Sequence, residues 1–348
     1  MSTSLRSLSN TSRTTSVPDT RRNEDITVGG VTVRPGRRSR IELPFAKVAT
    51  GSDDTLPVAV INGRSPGPHV WLSAAIHGDE LNGIEIVRRV MRQLDAQNLK
   101  GAVIAVPIVN PLGFMIESRY LPDRRDLNRA FPGSSRGSTA SRLAHLFMEQ
   151  IVAQSSVGID LHTASNHRIN IPQIRADIDD AATLKLARAF GAPFTIHAKE
   201  RDGSLRQAAR ELGATVLVYE AGQAHRFDSE AIESGTTGVL RSLTSMGMLD
   251  ARLPRAKPTR LIRHTRWVRA RRGGLAEINV KLGQYVEKGE HIAAISDAFG
   301  ARPTQVKATA TGWIIAKAQR PLVNSGDAIA HIAMETGPDK DEPAERGC

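Results

Sequence analysis

The chain contains one cysteine, Cys348, at its last position. An intramolecular disulfide is therefore excluded, as are zinc sites built on several cysteines; any metal must be held by His, Asp or Glu. Aromatic residues are only 4% of the 348 residues, too few for the stacking platforms that single-stranded nucleic acids use. No uncharged apolar run approaches the roughly 18 residues of a membrane span. The N-terminal stretch "MSTSLRSLSNTSRTTSVPDTRRNED" has no apolar segment of the kind a secretory signal needs. It reads as a disordered tail; its first acid is Asp19, so a transit peptide is the alternative. With no export signal read, a cytoplasmic location is expected. A G-x-S-x-G nucleophile elbow and a P-loop are both missing.

What is abundant is positive charge. Lys and Arg number 47 against 36 Asp and Glu, a formal net charge of +11. Such a balance fits an anionic substrate, an acidic surface or nucleic acid. Much of the excess lies in "RAKPTRLIRHTRWVRARR", Arg255 to Arg272, which reads as a solvated face or linker.

From Ile26 onward the text alternates between two grammars. "ITVGGVTV", "SRIELPFAKVA", "LPVAVING", "GPHVWLSAAI", "GAVIAVPIV", "SVGIDLHT" and "ATVLVYEAG" are strand-like, several being short apolar runs suited to a sheet covered on both faces. Between them fall helical patterns. Ile84, Val87, Val90, Met91 and Leu94 recur at helical spacing, with Arg88, Arg89 and Arg92 on another face and Asp79 placed to cap the start. "TASRLAHLFMEQIVAQ", "DDAATLKLARAFG", "GSLRQAARELG" and "SEAIESGTTGVLRSLTSMGML" follow. Alternation of this kind predicts an α/β fold, a mixed, mostly parallel sheet with helices on both faces. After Pro258 the helical patterns stop and Gly-punctuated short strands take over; "LGQYVEKGEHIAAI" (Leu282 to Ile295) partly echoes "RPLVNSGDAIAHI" (Arg320 to Ile332). The expected organisation is a tail over 1–24, a catalytic domain over 25–258, a small all-β domain over 259–336, and a polar tail over 337–348.

Three strand-like runs end in groups that can bind metal or move protons: His77, His162 and Glu220. In open α/β sheets ligands sit beyond the carboxyl ends of the strands. The spacing His77-x-x-Glu80 places an imidazole and a carboxylate where both can face one point, and His162 would complete a His₂Glu set leaving a coordination position open. A metal there lowers the pKa of water towards about 7, and a carboxylate that is not a ligand must then carry the proton; Glu220 is the candidate. A third stretch, "SRYLPDRRDLNRAFPG" (Ser118 to Gly133), is dense in arginine, whose planar guanidinium suits bidentate grip on a carboxylate. Each of these has a plainer reading, as a hydrogen-bonded histidine, a buried acid paired with arginine, or a basic surface loop. The remaining histidines show no ligand spacing; His167 and His225 lie near these segments and are candidates only for substrate contact.

Taken together, "HGDELNG", "NPLGF", "DLNRAFPG", "DLHT" and "YEAG", in that order, resemble the succinylglutamate desuccinylase/aspartoacylase family, zinc hydrolases on the zinc-carboxypeptidase fold. The likeness covers roughly Val70 to Leu249 well and the C-terminal β region more loosely. It implies one zinc ion held by His77, Glu80 and His162, with Glu220 as general acid/base and Asn128 and Arg129 gripping the substrate carboxylate. It further implies that Asp126 orients a zinc-bound imidazole and that Arg119 polarises the scissile carbonyl. The "PDRR" insertion departs from the family's spacing, so Arg124 or Arg125 could share that last task.

The expectation is a zinc amidohydrolase acting on a linear amide other than a peptide bond, deacylating an N-acyl amino acid or related small amine. Its partner is that small molecule, with no nucleic acid and no membrane; a homo-oligomer is left open. The alternatives are a metallocarboxypeptidase acting on short peptides, a non-catalytic binding protein on the same fold, and a nucleic-acid binder driven by charge.

Overall fold

In the computed structural model, the residues described are 22–47, 51–165 and 167–335; Cys348, most of the N-terminal tail and the whole of the 337–348 tail lie outside them. The centre is a set of four parallel strands, in spatial order Lys100–Val106, Ser65–Ala74, Val157–Ala164 and Thr215–Gln223. The first of these is extended by the antiparallel strands Asp53–Asn62 and Arg37–Lys47. Beyond the last, strand Arg168–Ala176 runs antiparallel to Thr215–Gln223.

Side-chain alternation along the central strands supplies two cores. Trp71 faces one, with helices Thr139–Gln150 and Leu205–Glu211; Val70 and Leu72 face the other, with Asn82–Gln93, Ala181–Phe190 and Ser229–Ser245. Helices on both faces explain why these strands read as near-continuous apolar runs. The fully buried Trp71 lies against Gly158, its cross-strand partner, where an added Cβ would come within 1.9 Å of the indole. An aromatic side chain buried this way is worth about 1.5–3 kcal/mol, and glycine opposite is what admits it. Helix Asn82–Gln93 buries Ile86, Val87 and Val90 and keeps Arg88 exposed. Asp79 does not cap it. The helix begins only after Leu81, without a side-chain cap, because the chain between His77 and Glu80 is a turn closed by Glu80 N–H donating to the His77 carbonyl.

Strand Arg168–Ala176 was not legible in the sequence. It carries Pro172, which argues against a sheet interior. The structure resolves the conflict by changing partners along one edge: residues 168–170 pair with strand Gly312–Ala318, residues 173–176 pair with Phe194–His197, and Pro172 falls in the gap. Through this strand the C-terminal region joins the central sheet, since Gly312–Ala318 pairs with Ala328–Met334, which pairs with Thr265–Arg269. A separate four-stranded sheet packs with them over a third core that includes Val286, Ile292, Ile314 and Ile332. The two similar sequence stretches of this region both fold as a two-residue strand, a turn with a positive-φ glycine (Gly289, Gly326), and a longer strand. Among the described residues, no helix is long and apolar enough to cross a membrane.

His331, in strand Ala328–Met334, is 3% exposed and neither ring nitrogen has a hydrogen-bond partner. Burial, with Arg175 and Arg168 nearby, pushes its pKa down to about 3. The unfolded chain therefore binds one more proton than the folded one between about pH 6.5 and pH 3. The stability linked to this group is complete above that window and is lost as pH falls through it, with a slope of up to about 1.4 kcal/mol per pH unit. Replacing His331 with phenylalanine should flatten this part of the stability profile, measured by denaturant unfolding from pH 7 to pH 4; an unchanged acid slope would remove the assignment.

Candidate metal centre and substrate cavity

His77 stands three residues beyond the end of strand Ser65–Ala74, in the turn that also carries Glu80. Gly78 makes that turn possible. Its N–H donates to the Ser118 carbonyl at 2.9 Å, and an added Cβ would lie 2.0 Å from the Gly113 backbone. The turn is thus pressed against the segment that leads into Arg119. His162 lies within strand Val157–Ala164, and Glu220 within the adjacent parallel strand, where the two residues are in register.

These placements bring His77, Glu80 and His162 together, all buried, with ligand-capable atoms within 4.8 Å of one another. Glu80 is the hub. One oxygen is 2.7 Å from His77 Nδ1, and the other is 2.9 Å from His162 Nδ1 and accepts the Thr163 N–H at 3.0 Å. Both imidazoles turn Nδ1 inward and are backed at Nε2 by a carboxylate: Asp126 at 3.2 Å for His77, Asp160 at 2.7 Å for His162. Asp160 in turn accepts a hydrogen bond from Ser73 at 2.7 Å. Two imidazole nitrogens and a carboxylate oxygen, each ring nitrogen steadied by an acid behind it, form a donor set that fits a divalent metal such as zinc.

The electrostatics follow from burial opposed by neighbours. Burial pushes the Glu80 carboxyl up, but His77 and His162 outweigh it and hold it below the usual carboxylate range. Asp126 is likewise lowered against burial, by His77 and Arg119. Burial depresses His77 and His162, yet their carboxylate partners raise both, His162 well above its ordinary value. Each charge in the cluster thus has an opposite charge beside it.

Arg119 joins this group. It donates to Asp126 at 2.9 Å, and its other terminal nitrogen lies 3.3 Å from His77 Nδ1 and 3.7 Å from Glu80. Arg124 and Arg125 are exposed, and Arg125 pairs with Asp123; neither lines the cavity next to the cluster. That cavity, of about 240 Å³, is bordered by His77, Glu80, His162, Arg119, Asn128, Arg129 and Glu220. The Asn128 side-chain oxygen accepts from the Leu205 N–H at 2.9 Å, and Arg129 donates to the Asn128 carbonyl. Glu220 accepts from Asn170 Nδ2 at 2.9 Å and lies 3.8 Å from Arg175 Nε. His167 and His225 do not border the cavity. Asp79 is held apart from the cluster, its carbonyl accepting the His225 N–H at 2.8 Å.

Sequence reasoning missed Asp160, Ser73, Asn170, Arg168, Arg175 and Trp267. For Asp160 a signal existed: two residues before His162 on a strand, it lies on the same face. Asn170, Arg168 and Arg175 were missed with their strand, and Trp267 reaches the cavity from the C-terminal region. Changing Asp160 to asparagine leaves His162 without its anionic backing. It should weaken metal binding by about 10- to 100-fold, measured by competition with a chelator, while the thermal midpoint of the metal-free chain changes far less than for Glu80→Ala. Unchanged metal affinity in Asp160→Asn would show that the acid does not support the site.

The succinylglutamate desuccinylase/aspartoacylase catalytic domain model matches residues 66–246. N-alpha-acetyl-L-2,4-diaminobutyric acid deacetylase of Halomonas elongata is 30% identical over 309 residues, 83% of this chain and 90% of that protein. Succinylglutamate desuccinylase of Pseudomonas aeruginosa is 29% identical over 150 residues, 40% of this chain and 44% of that one. Among solved structures, the succinylglutamate desuccinylase/aspartoacylase of Rhodobacter sphaeroides superposes with a TM-score of 0.79 at 27% identity, covering 88% of this chain and 98% of its own. The chain belongs to the succinylglutamate desuccinylase/aspartoacylase family, and the two relatives from Halomonas elongata and Pseudomonas aeruginosa are a deacetylase and a desuccinylase.

Proposed function

We propose that the protein is a zinc-dependent deacylase of small N-acyl amino acids, cleaving a linear amide that is not a peptide bond. The observation that carries the reading is the meeting of His77, Glu80 and His162 at one point on a cavity that Glu220 also borders. His77, Glu80 and His162 would hold the metal. When bound, zinc supplies Lewis acidity and a more acidic water.

The rest of the chemistry falls to side chains. Asn128 and Arg129 bind the substrate carboxylate and fix the amide's position. That an anion enters here is supported by Arg119, Arg129, Arg168, Arg175, Arg201, Arg206 and Lys199 around the cavity, against the acids Glu80, Asp160 and Glu220. Arg119, steadied by Asp126, donates to the acyl oxygen as negative charge builds on it. Glu220 takes a proton from the attacking water and returns it to the leaving amine. Asn170 holds one of its oxygens, leaving the other for proton transfer. Asp126 and Asp160 keep each ring's Nε2 proton, so that each Nδ1 offers a lone pair. The deacetylase from Halomonas elongata supports the reading, since its acetylated diamino acid is an N-acyl amino acid.

Glu220→Gln should retain the wild-type metal content and lose about 10²- to 10⁴-fold in turnover. Steady-state hydrolysis of N-acetyl amino acids, alongside elemental analysis, checks both halves; near-wild-type turnover would sink the mechanism. N-acyl amino acids should also be cleaved faster than short peptides with free C-termini, and the reverse order would favour a carboxypeptidase.

A further inference from the structure

The cavity has one wall that comes from outside the 66–246 segment. Trp267 borders it from strand Thr265–Arg269, and its indole is partly exposed there. How it arrives can be traced through strand register. Trp267 is the partner of His331, His331 of Ala316, Ala316 of Asn170, and Asn170 of Gly222. Cross-strand partners share a face of a sheet. This row therefore carries Trp267 to the face where Asn170 meets Glu220.

The indole is clamped. His331 stacks on it with ring centroids 4.0 Å apart and planes 6° from parallel. The Arg168 guanidinium lies over the ring 5.3 Å from its centroid, and Arg168 Nε is itself tied to the Ser165 carbonyl at 3.2 Å. His331 is buried with no hydrogen-bond partner at either nitrogen, so stacking is its evident contact. Burial and two neighbouring guanidiniums keep it neutral, and a neutral ring stacks on indole without a desolvated charge. An aromatic side chain stacked on a buried ring and in contact with a tethered guanidinium is a rigid surface. Rigid surfaces of this kind sort ligands by size, because the wall cannot retreat at low cost.

On the deacylase reading, on which this inference rests, Asn128 and Arg129 hold the amino-acid half. They stand on the side of the cavity bounded by the segment from Gly203 to Leu205, to which the Asn128 oxygen and the Phe131 N–H are bonded. Trp267 stands on the Asn170–Glu220 side. The half of the substrate left to meet it is the acyl group. We propose that Trp267 is a specificity-determining residue, the wall that limits the length of the acyl group, and that it selects short N-acyl chains such as acetyl.

Two substrate series test it on the metal-loaded protein and on W267F, W267L and W267A. One lengthens the acyl group from acetyl through butanoyl to hexanoyl on a constant amino acid; the other lengthens the amino-acid side chain under a constant acetyl group. In W267L and W267A the ratio of kcat/KM for hexanoyl to that for acetyl should rise about tenfold or more, W267F should stay near the wild type, and the side-chain series should move much less. An acyl ratio unchanged within about twofold in W267L and W267A, at wild-type thermal midpoint and metal content, overturns the proposal, as does a larger change in the side-chain series. If the wild type hydrolyses neither series, the deacylase reading falls separately. The wall is then judged by indole fluorescence titrated with N-acetyl and N-hexanoyl amino acids. Quenching by the acetyl compound in the wild type but not in W267F supports contact, and equal responses in the two proteins overturn it.

Discussion

A single carboxylate, Glu80, sits buried between two imidazoles, and the surrounding architecture can be traced from that arrangement. A buried charge is tolerable only when paired and hydrogen-bonded on every side. His77 and His162 supply the pairing and Thr163 N–H the further bond. The imidazoles then need anions of their own, which Asp126 and Asp160 provide, and these are held by Arg119 and Ser73. The pattern spreads outward as alternating charge, each shell fixed by the next.

Three different segments have to meet for this to happen, and the sheet is what makes them meet. Parallel neighbours bring His162 and Glu220 side by side at the same level. The turn after Ala74 then only has to fold back over the sheet's edge, which Gly78 allows by lying flat against the Gly113 backbone. The apolar strand behind it, with Trp71 locked over Gly158, removes the freedom to drift. Rigidity in the core thus becomes placement at the site.

The candidate site was legible to the extent that its residues sit in compact local patterns. His77 and Glu80 are three apart, Asp126 through Arg129 are contiguous, and His162 and Glu220 end apolar runs. What escaped notice was whatever depended on pairing between distant strands. The Arg168–Ala176 strand alternates isoleucine with polar residues only as far as Pro172, so its local strand signal is short and broken; it is a strand because Thr215–Gln223 needs a neighbour and because two short partners leave room for Pro172. Asn170, Arg168 and Arg175 went unseen with it. Asp79 erred the other way. Its type and position suited a cap, but the ligand-bearing turn uses up the residues a cap would need.

By itself, the sequence determined the alternation of strands and helices, the two apolar faces of the central strands, the absence of a cysteine site, and the residue types available for a metal. These follow from side-chain chemistry and from periods of 2 and 3.6, which are local properties. Only the tertiary structure decided which carboxylate backs which imidazole, that Arg119 rather than Arg124 or Arg125 reaches the cluster, and that a tryptophan from the C-terminal β region borders the cavity. Those depend on strand order and register, quantities set by the packing of the whole sheet, and no short window of sequence contains them.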